Sequence, residues 1–376
     1  MKKIWLLALI YALGFVSAGA ADTPDKYRIG ALLAMTGPSS FYGQVMSQGI
    51  KQAVDEINEA GGIDGIPLEV TIEDHKGGGG QEAVTGMNRL LLSDVQAVLT
   101  SFSGPTIAIA PLADQHHILL MNGGAVSAKL VGLSPYLFHN RSLATDLSRI
   151  ALTYAKESGA KKLAELQWQN DVGDSIAHTA EPLWKSFGGE VVATEAVPQG
   201  AINMDTSVAK LRAANPDLVA LWMFTPEVGL ALKRLRDFGM TQPVIGVEFT
   251  ENDAKIAGKA ADGYHFATDY FQASPDNPWS QRFAELYQKR YGTAPDFYAA
   301  NYYEGVYVIA ALIRRTHRWN GDALREALLQ NPHFDSIYGG QMTFGANGVA
   351  QKRTALFTVE NGQRKFVQFL DATPEK

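Results

Sequence analysis

Among the 376 residues of this chain, the side chains placed to do chemistry point to holding an anion. Ser103-Gly104-Pro105 follows an apolar run and opens a helix, where the first backbone N–H groups lack intrahelical acceptors. A hydroxyl beside such donors suits a carboxylate or another compact anion, and it equally suits an ordinary helix cap. Glu248 stands just past the apolar stretch ending Gly246-Val247, where loops of α/β sheets carry ligand contacts, although most Glu side chains are simply solvated. Signatures of catalysis do not assemble around them. Ser103 is not in a Gly-x-Ser-x-Gly elbow and has no His–Asp relay. His116-His117 lacks a spaced partner for a metal, and the four glycines at 77–80 precede no Lys-Ser or Lys-Thr, so they read as a flexible turn and not as a phosphate loop. The chain has no Cys, which rules out disulfides, thiolate metal sites and Cys nucleophiles. A non-enzyme without cofactor or metal is expected.

The elements that position these residues alternate along the chain. Apolar runs at 29–35, 68–72, 97–100 and 118–121 read as strands. Helical spacing of Ile50, Val54 and Ile57, then of Val84, Met87 and Leu91, and a helix over about 105–116 lie between them. The rhythm continues with strands near 162–168, 190–197, 217–223 and 243–247 separated by helices 173–187, 204–214 and 226–238. A long helical tract at 297–315 and strands at 353–359 and 364–370 follow. Strands separated by single helices imply parallel sheets covered on both faces. Ligands of such sheets bind beyond the carboxyl ends of the strands, which selects the loops 36–43, 101–106, 122–127 and 223–227, each rich in Gly, Ser, Thr or Pro. No short-period repeat is present.

Lys2-Lys3, the apolar run from Ile4 to Val16 and the small residues Ser17-Ala18-Gly19-Ala20 have the layout of a secretory signal peptide. The apolar stretch is short for a membrane span, which takes about 20 residues. The mature chain is expected to begin near Ala21 and to work outside the cytoplasm without a direct membrane anchor; no Cys follows the apolar run to carry a lipid. Without Lys2 and Lys3 it holds 31 basic and 39 acidic side chains, a net charge of −8. Such a surface repels phosphate backbones and anionic lipids, so no nucleic-acid partner is expected. The length exceeds the roughly 250–300 residues at which single cores divide, so two lobes are expected.

The segment from Ile29-Gly30-Ala31-Leu32-Leu33-Ala34-Met35-Thr36-Gly37-Pro38 through Tyr42-Gly43, Gly49, Ala53-Val54-Asp55-Glu56-Ile57-Asn58 and Gly61-Gly62-Ile63 resembles the opening of the periplasmic solute-binding proteins of branched-chain amino acid ABC transporters. The likeness continues at Gly159-Ala160-Lys161-Lys162, Thr225-Pro226-Glu227 and Ile256-Ala257-Gly258 and covers essentially the whole mature chain. It implies a type I periplasmic binding (Venus-flytrap) fold: two doubly wound α/β lobes joined by three crossing strands. Residues 25–141 and 271–345 would form lobe 1, and 142–270 and 346–376 lobe 2. The hinges would fall near His139–Ser142, Ala267–Tyr270 and Thr343–Asn347.

The resemblance also implies site residues. Ser103 stands where the family grips a ligand carboxylate, and Tyr42 matches an aromatic that packs on the ligand. Gly124 supplies a carbonyl for an ammonium, Val126 replaces a Thr hydroxyl, and Ser127 is the nearest substitute. Gly123-Gly124 would also leave room in the cleft. Phe102 flanks the cleft, Phe224 keeps the ring of a family Tyr without its hydroxyl, and Val172 stands where relatives carry Tyr. Glu248 aligns with the acid that pairs with the α-ammonium of amino acids. The implied function is capture of a branched-chain-type amino acid or related carboxylate and its delivery, by a monomer, to an inner-membrane ABC permease. The apolar replacements leave open a receptor for an aromatic or other non-amino carboxylate, or for an amide, and a sensory role leaves the same sequence.

Overall fold

The computed structural model describes residues 24–77, 80–352 and 354–370; the expected signal peptide and its cleavage near Ala20 lie outside them. The first lobe begins with β1 (Tyr27–Leu33), α1 (Ser40–Glu59), β2 (Leu68–Asp74), α2 (Gly80–Leu91), β3 (Ala97–Thr100), α3 (Ser103–His116), β4 (Leu119–Asn122) and β5 (Leu137–His139). The second lobe holds α4 (Ala144–Lys156), β6 (Lys162–Trp168), α5 (Asp171–Ser186), β7 (Glu190–Val197), α6 (Asp205–Ala213), β8 (Leu218–Trp222), α7 (Glu227–Asp237), β9 (Val244–Gly246), α8 (Glu251–Ala257) and β10 (Tyr264–Asp269). After these come α9 (Pro278–Tyr291), α10 (Phe297–Thr316), α11 (Gly321–Gln330), β11 (His333–Asp335), β12 (Gln341–Phe344), β13 (Ala350–Gln351), β14 (Thr354–Glu360) and β15 (Gln363–Leu370).

The first sheet is parallel, in the order β2-β1-β3-β4-β5. Successive side chains of a strand point to opposite faces, and that alternation divides its apolar runs between two cores. Ile29, Ala31, Leu33, Leu99 and Met121 pack with α1 and α10, while Leu32, Val98 and Leu120 pack with α2 and α3. Phe283, Leu324, Leu328, Phe334, Met342 and Phe344, from α9, α11 and the small sheet β11-β12-β13, join the α1/α10 core.

The second sheet runs β15-β14-β10-β9-β8-β6-β7. From β10 to β7 its pairings are parallel, as expected. The expectation of a parallel sheet does not extend to its edge, because β14 runs antiparallel to both β10 and β15. The turn at Asn361-Gly362, with φ of 52° and 72°, has the conformation that closes a two-residue antiparallel hairpin and sets β15 against β14; β14 opposes β10 because the chain leaves this sheet at Asp269 and re-enters beside it at Thr354. Among the described residues no helix is long and apolar enough to cross a membrane.

Candidate ligand-binding cleft

The loops beyond the strand ends of the two lobes face each other across a cleft. Asp74, ending β2, fixes the first loop: its carboxylate accepts from the N–H of Met35 (2.9 Å) and Lys76 (2.7 Å) and from Thr36 Oγ1 (2.6 Å). Burial pushes its pKa up, but these bonds outweigh burial and hold it below the usual range. The loop leads into α1 and so places Tyr42.

The next loop is built on His75. Its Nδ1 accepts from Gly77 N–H (3.2 Å), so Nε2 carries the proton toward Ser101 Oγ (2.9 Å), which in turn donates to Leu32 O (3.1 Å). Burial pushes the imidazole pKa down to about 4 and keeps it neutral. Phe102 then takes φ 59°, a strained value for a residue with a side chain. Its ring stands edge-on to Tyr42 at 5.7 Å and tilted on His75 at 5.2 Å.

Helix α3 starts at Ser103 itself, two residues earlier than the sequence pattern indicates, and has no side-chain cap. Among the described residues, no acceptor meets the N–H of Ser103 or Gly104. The hydroxyl of Ser103 accepts from the N–H of Val126 (3.2 Å) and Ser127 (3.1 Å), which leaves its own hydrogen to donate.

The third loop is held by Asn122, whose Oδ1 accepts from the N–H of Gly124 (3.0 Å) and Ala125 (2.6 Å). The room expected at Gly123-Gly124 is not free for a ligand. A Cβ on Gly124 would lie 2.7 Å from Tyr302 Oη and 2.8 Å from Met46 Cε, so the protein fills that space itself. Ser127 is fully buried, and its hydroxyl accepts from Lys129 N–H at 3.3 Å.

The opposite wall comes from the second lobe. Trp168 ends β6, and a Cβ on Gly173 would meet its carbonyl at 2.0 Å, so only glycine lets α5 start this close to the strand. Asn170 caps α5 through the N–H of Val172 (3.0 Å) and Gly173 (3.1 Å), so these donors are already taken. Phe224 follows β8 and packs on Trp168 at 5.3 Å. Thr225 beside it donates its N–H to Tyr42 Oη across the cleft (2.9 Å).

The cleft encloses about 720 Å³, open to solvent, between Tyr42, Phe102, Ser103, Gly124, Val126, Val172 and Phe224, together with Pro105, Trp168, Asp171, Gln199 and Tyr298. Two expected contacts, Ser127 and Glu248, do not line it. Sequence spacing did not point to Trp168, Gln199 or Tyr298; the nearest signal was position, since Trp168 ends an apolar run and Tyr298 lies in the first turn of α10, which Asp296 caps.

Glu248 lies fully buried behind this wall. Its Oε1 accepts from Tyr42 Oη (2.7 Å) and its Oε2 from Tyr298 Oη (2.6 Å). Burial raises its pKa to about 7, against the opposing pull of Arg141 and the two hydroxyls. Burial and the charge of Glu248 raise both phenols well above their ordinary range, so they stay protonated donors. Arg141, also fully buried, donates from Nη1 to Gly124 O (2.8 Å) and pairs through Nε with Asp269 Oδ2 (3.3 Å). Its guanidinium carbon lies 5.1 Å from the centre of the Tyr298 ring.

Aromatic walls and one end rich in free donors describe a pocket that holds a solute. The chain belongs to the periplasmic binding proteins, whose family model matches residues 26–364. It is 24% identical over 343 residues to Leu/Ile/Val-binding protein homolog 7 of Brucella abortus (strain 2308), covering 86% of this chain and 85% of that one. Its fold matches the branched-chain amino acid transporter substrate binding protein LivJ of Streptococcus pneumoniae in complex with isoleucine, with a TM-score of 0.84 and 25% identity over 92% of this chain and 99% of that one. It also matches an ABC transporter solute binding protein of Rhodopseudomonas palustris BisB5 in complex with 3,4-dihydroxybenzoic acid, with a TM-score of 0.82 and 20% identity over 93% of this chain and 99% of that one. The resemblance and the type I fold read from the sequence are borne out, and the molecule is a solute-binding protein of the ABC transporter type.

Proposed function

We infer that this protein is exported, captures a small carboxylate with an apolar body between its lobes and delivers it to an ABC permease. The reading includes the lobe boundaries and three hinges expected from the sequence, with the last boundary moved past β13, which pairs with β12 and packs in the first lobe's core through Ala350. The observation that carries it is Ser103: a hydroxyl with its hydrogen unassigned, beside the free N–H groups that open a 14-residue helix, at the rim of an aromatic-walled cleft. Contacts from both lobes make the ligand favour the closed form, and a closed form is what a permease can distinguish from the empty receptor. The relatives' names and the isoleucine and dihydroxybenzoate held by the two structural neighbours agree with a carboxylate, and the two ligands bracket the bodies the walls would accept. Calorimetry with leucine, isoleucine, 4-hydroxybenzoate and 3,4-dihydroxybenzoate, each beside its methyl ester, tests this. At least one acid should bind at least tenfold more tightly than its ester. Esters that bind as well as every acid would overturn the carboxylate reading.

A further inference from the structure

Acceptor groups at or just behind the cleft wall that could hold a ligand ammonium are engaged by the protein itself, Gln199 Oε1 by Asn170 Nδ2 at 3.5 Å. The carbonyl of Gly124 takes Arg141 Nη1 at 2.8 Å. The carboxylate of Glu248 takes Tyr42 Oη on one oxygen and Tyr298 Oη on the other, at 2.7 and 2.6 Å. Asp171, at the cleft wall, takes the ammonium of Lys129. What remains unassigned at these positions is a set of donors: the Ser103 O–H, the N–H groups of Ser103 and Gly104, and Arg141 Nη2, which is buried without a hydrogen-bond partner. An ammonium in the cleft would have to reach Glu248 past the Tyr42 and Tyr298 side chains that cover it, since the carboxyl is fully buried, and would add a cation near a guanidinium that is already buried. A carboxylate brings acceptors and no such conflict.

We propose that the ligand of this cleft carries no ammonium: Arg141 stands in for that charge from within the protein, and Tyr298, together with Tyr42, sets the preference by closing off Glu248. The proposal rests on the carboxylate reading above and narrows it to non-amino acids with an apolar or aromatic body. Tyr298 is then a specificity-determining residue, reaching Glu248 from the first turn of α10 while its ring forms part of the wall.

The test compares acids that differ only in the amino group: leucine with 4-methylpentanoate, and phenylalanine with 3-phenylpropanoate. Calorimetry is run at pH 8, where Glu248 is ionised and an ammonium has its best opportunity. The wild-type protein should bind the better of the two non-amino acids at least tenfold more tightly than its amino counterpart. In Tyr298→Phe one Glu248 oxygen loses its donor, and this preference should shrink at least threefold. Leucine or phenylalanine binding as tightly as its non-amino counterpart in the wild type would overturn the proposal and leave the carboxylate reading standing. A preference unchanged in a folded Tyr298→Phe protein would overturn the role of Tyr298. If none of the four acids binds while their neutral amides do, the carboxylate reading itself fails, and the narrower proposal with it.

Discussion

Ser103 serves two neighbours and keeps one hydrogen to give. Its oxygen accepts the N–H groups of Val126 and Ser127, which ties the loop after β4 to the start of α3, while its hydrogen is left for the ligand. Ser103→Ala should therefore act twice. Loss of a hydrogen bond to a charged group should weaken carboxylate binding by about 1.5–3 kcal/mol, and two buried N–H groups left unpaired should lower stability by about 1 kcal/mol or more. Calorimetry reads the first effect and urea unfolding the second. Unchanged affinity in a folded variant would remove Ser103 from the site. The same scale shows why Glu248 was only half legible. Its place past a strand end was visible in the sequence. The two hydroxyls that occupy it come from residues 206 and 50 positions away, and no local pattern encodes such a meeting.

At the scale of elements, the sequence was most informative where burial leaves a period. β1, β3, β4 and β8 are covered on both faces, so they appear as apolar runs. Helices α1, α2 and α5 carry a clear amphipathic repeat. What escaped were elements set by partners: β5 and β10 pair with their parallel neighbours through short registers, the antiparallel direction of β14 is set by its partners, and α8 spans only seven residues. Helix α8 exists largely through Asp253. Its carboxylate accepts from Thr250 N–H (2.8 Å) and Gly229 N–H (3.0 Å) and from the Thr225 hydroxyl, so one buried acid joins the start of α8, the start of α7 and the loop beneath Tyr42. Replacing Asp253 with Ala leaves these donors unpaired in the core and should cost about 3 kcal/mol or more in urea unfolding. It should also weaken ligand binding, because Thr225 then holds Tyr42 less firmly. A loss below about 1 kcal/mol, the worth of a single ordinary hydrogen bond, would show that packing alone orders these two helix starts.

Across the whole molecule the cleft is bridged by protein groups even before a ligand is considered. Tyr42 and Tyr298, whose rings pack in the core of the first lobe, both reach Glu248 of the second, and Lys129 meets Asp171 near the cleft. Closure is thus coupled to a buried carboxyl whose ionisation costs solvation. The sign follows from the shift. Glu248 titrates near 4.5 when exposed and near 7 in the fold, so between these values the unfolded chain has released a proton that the native state keeps. The unfolded state then binds fewer protons, and stability falls as pH rises. The benefit of the neutral carboxyl is complete below about pH 4.5 and lost by about pH 7, a swing on the order of 3 kcal/mol. Glu248→Gln has no such titration and can keep a hydrogen bond to either tyrosine. The stability of Glu248→Gln measured against wild type should therefore rise by about that amount between pH 4.5 and 7.5, when ligand-free protein is unfolded in urea at several pH values. Buried histidines such as His75 contribute pH slopes of their own, but they are common to both proteins and cancel in the difference. A difference that stays flat across this range would mean that Arg141 already keeps Glu248 ionised in the fold, and that the carboxylate, not the neutral acid, holds the two lobes together.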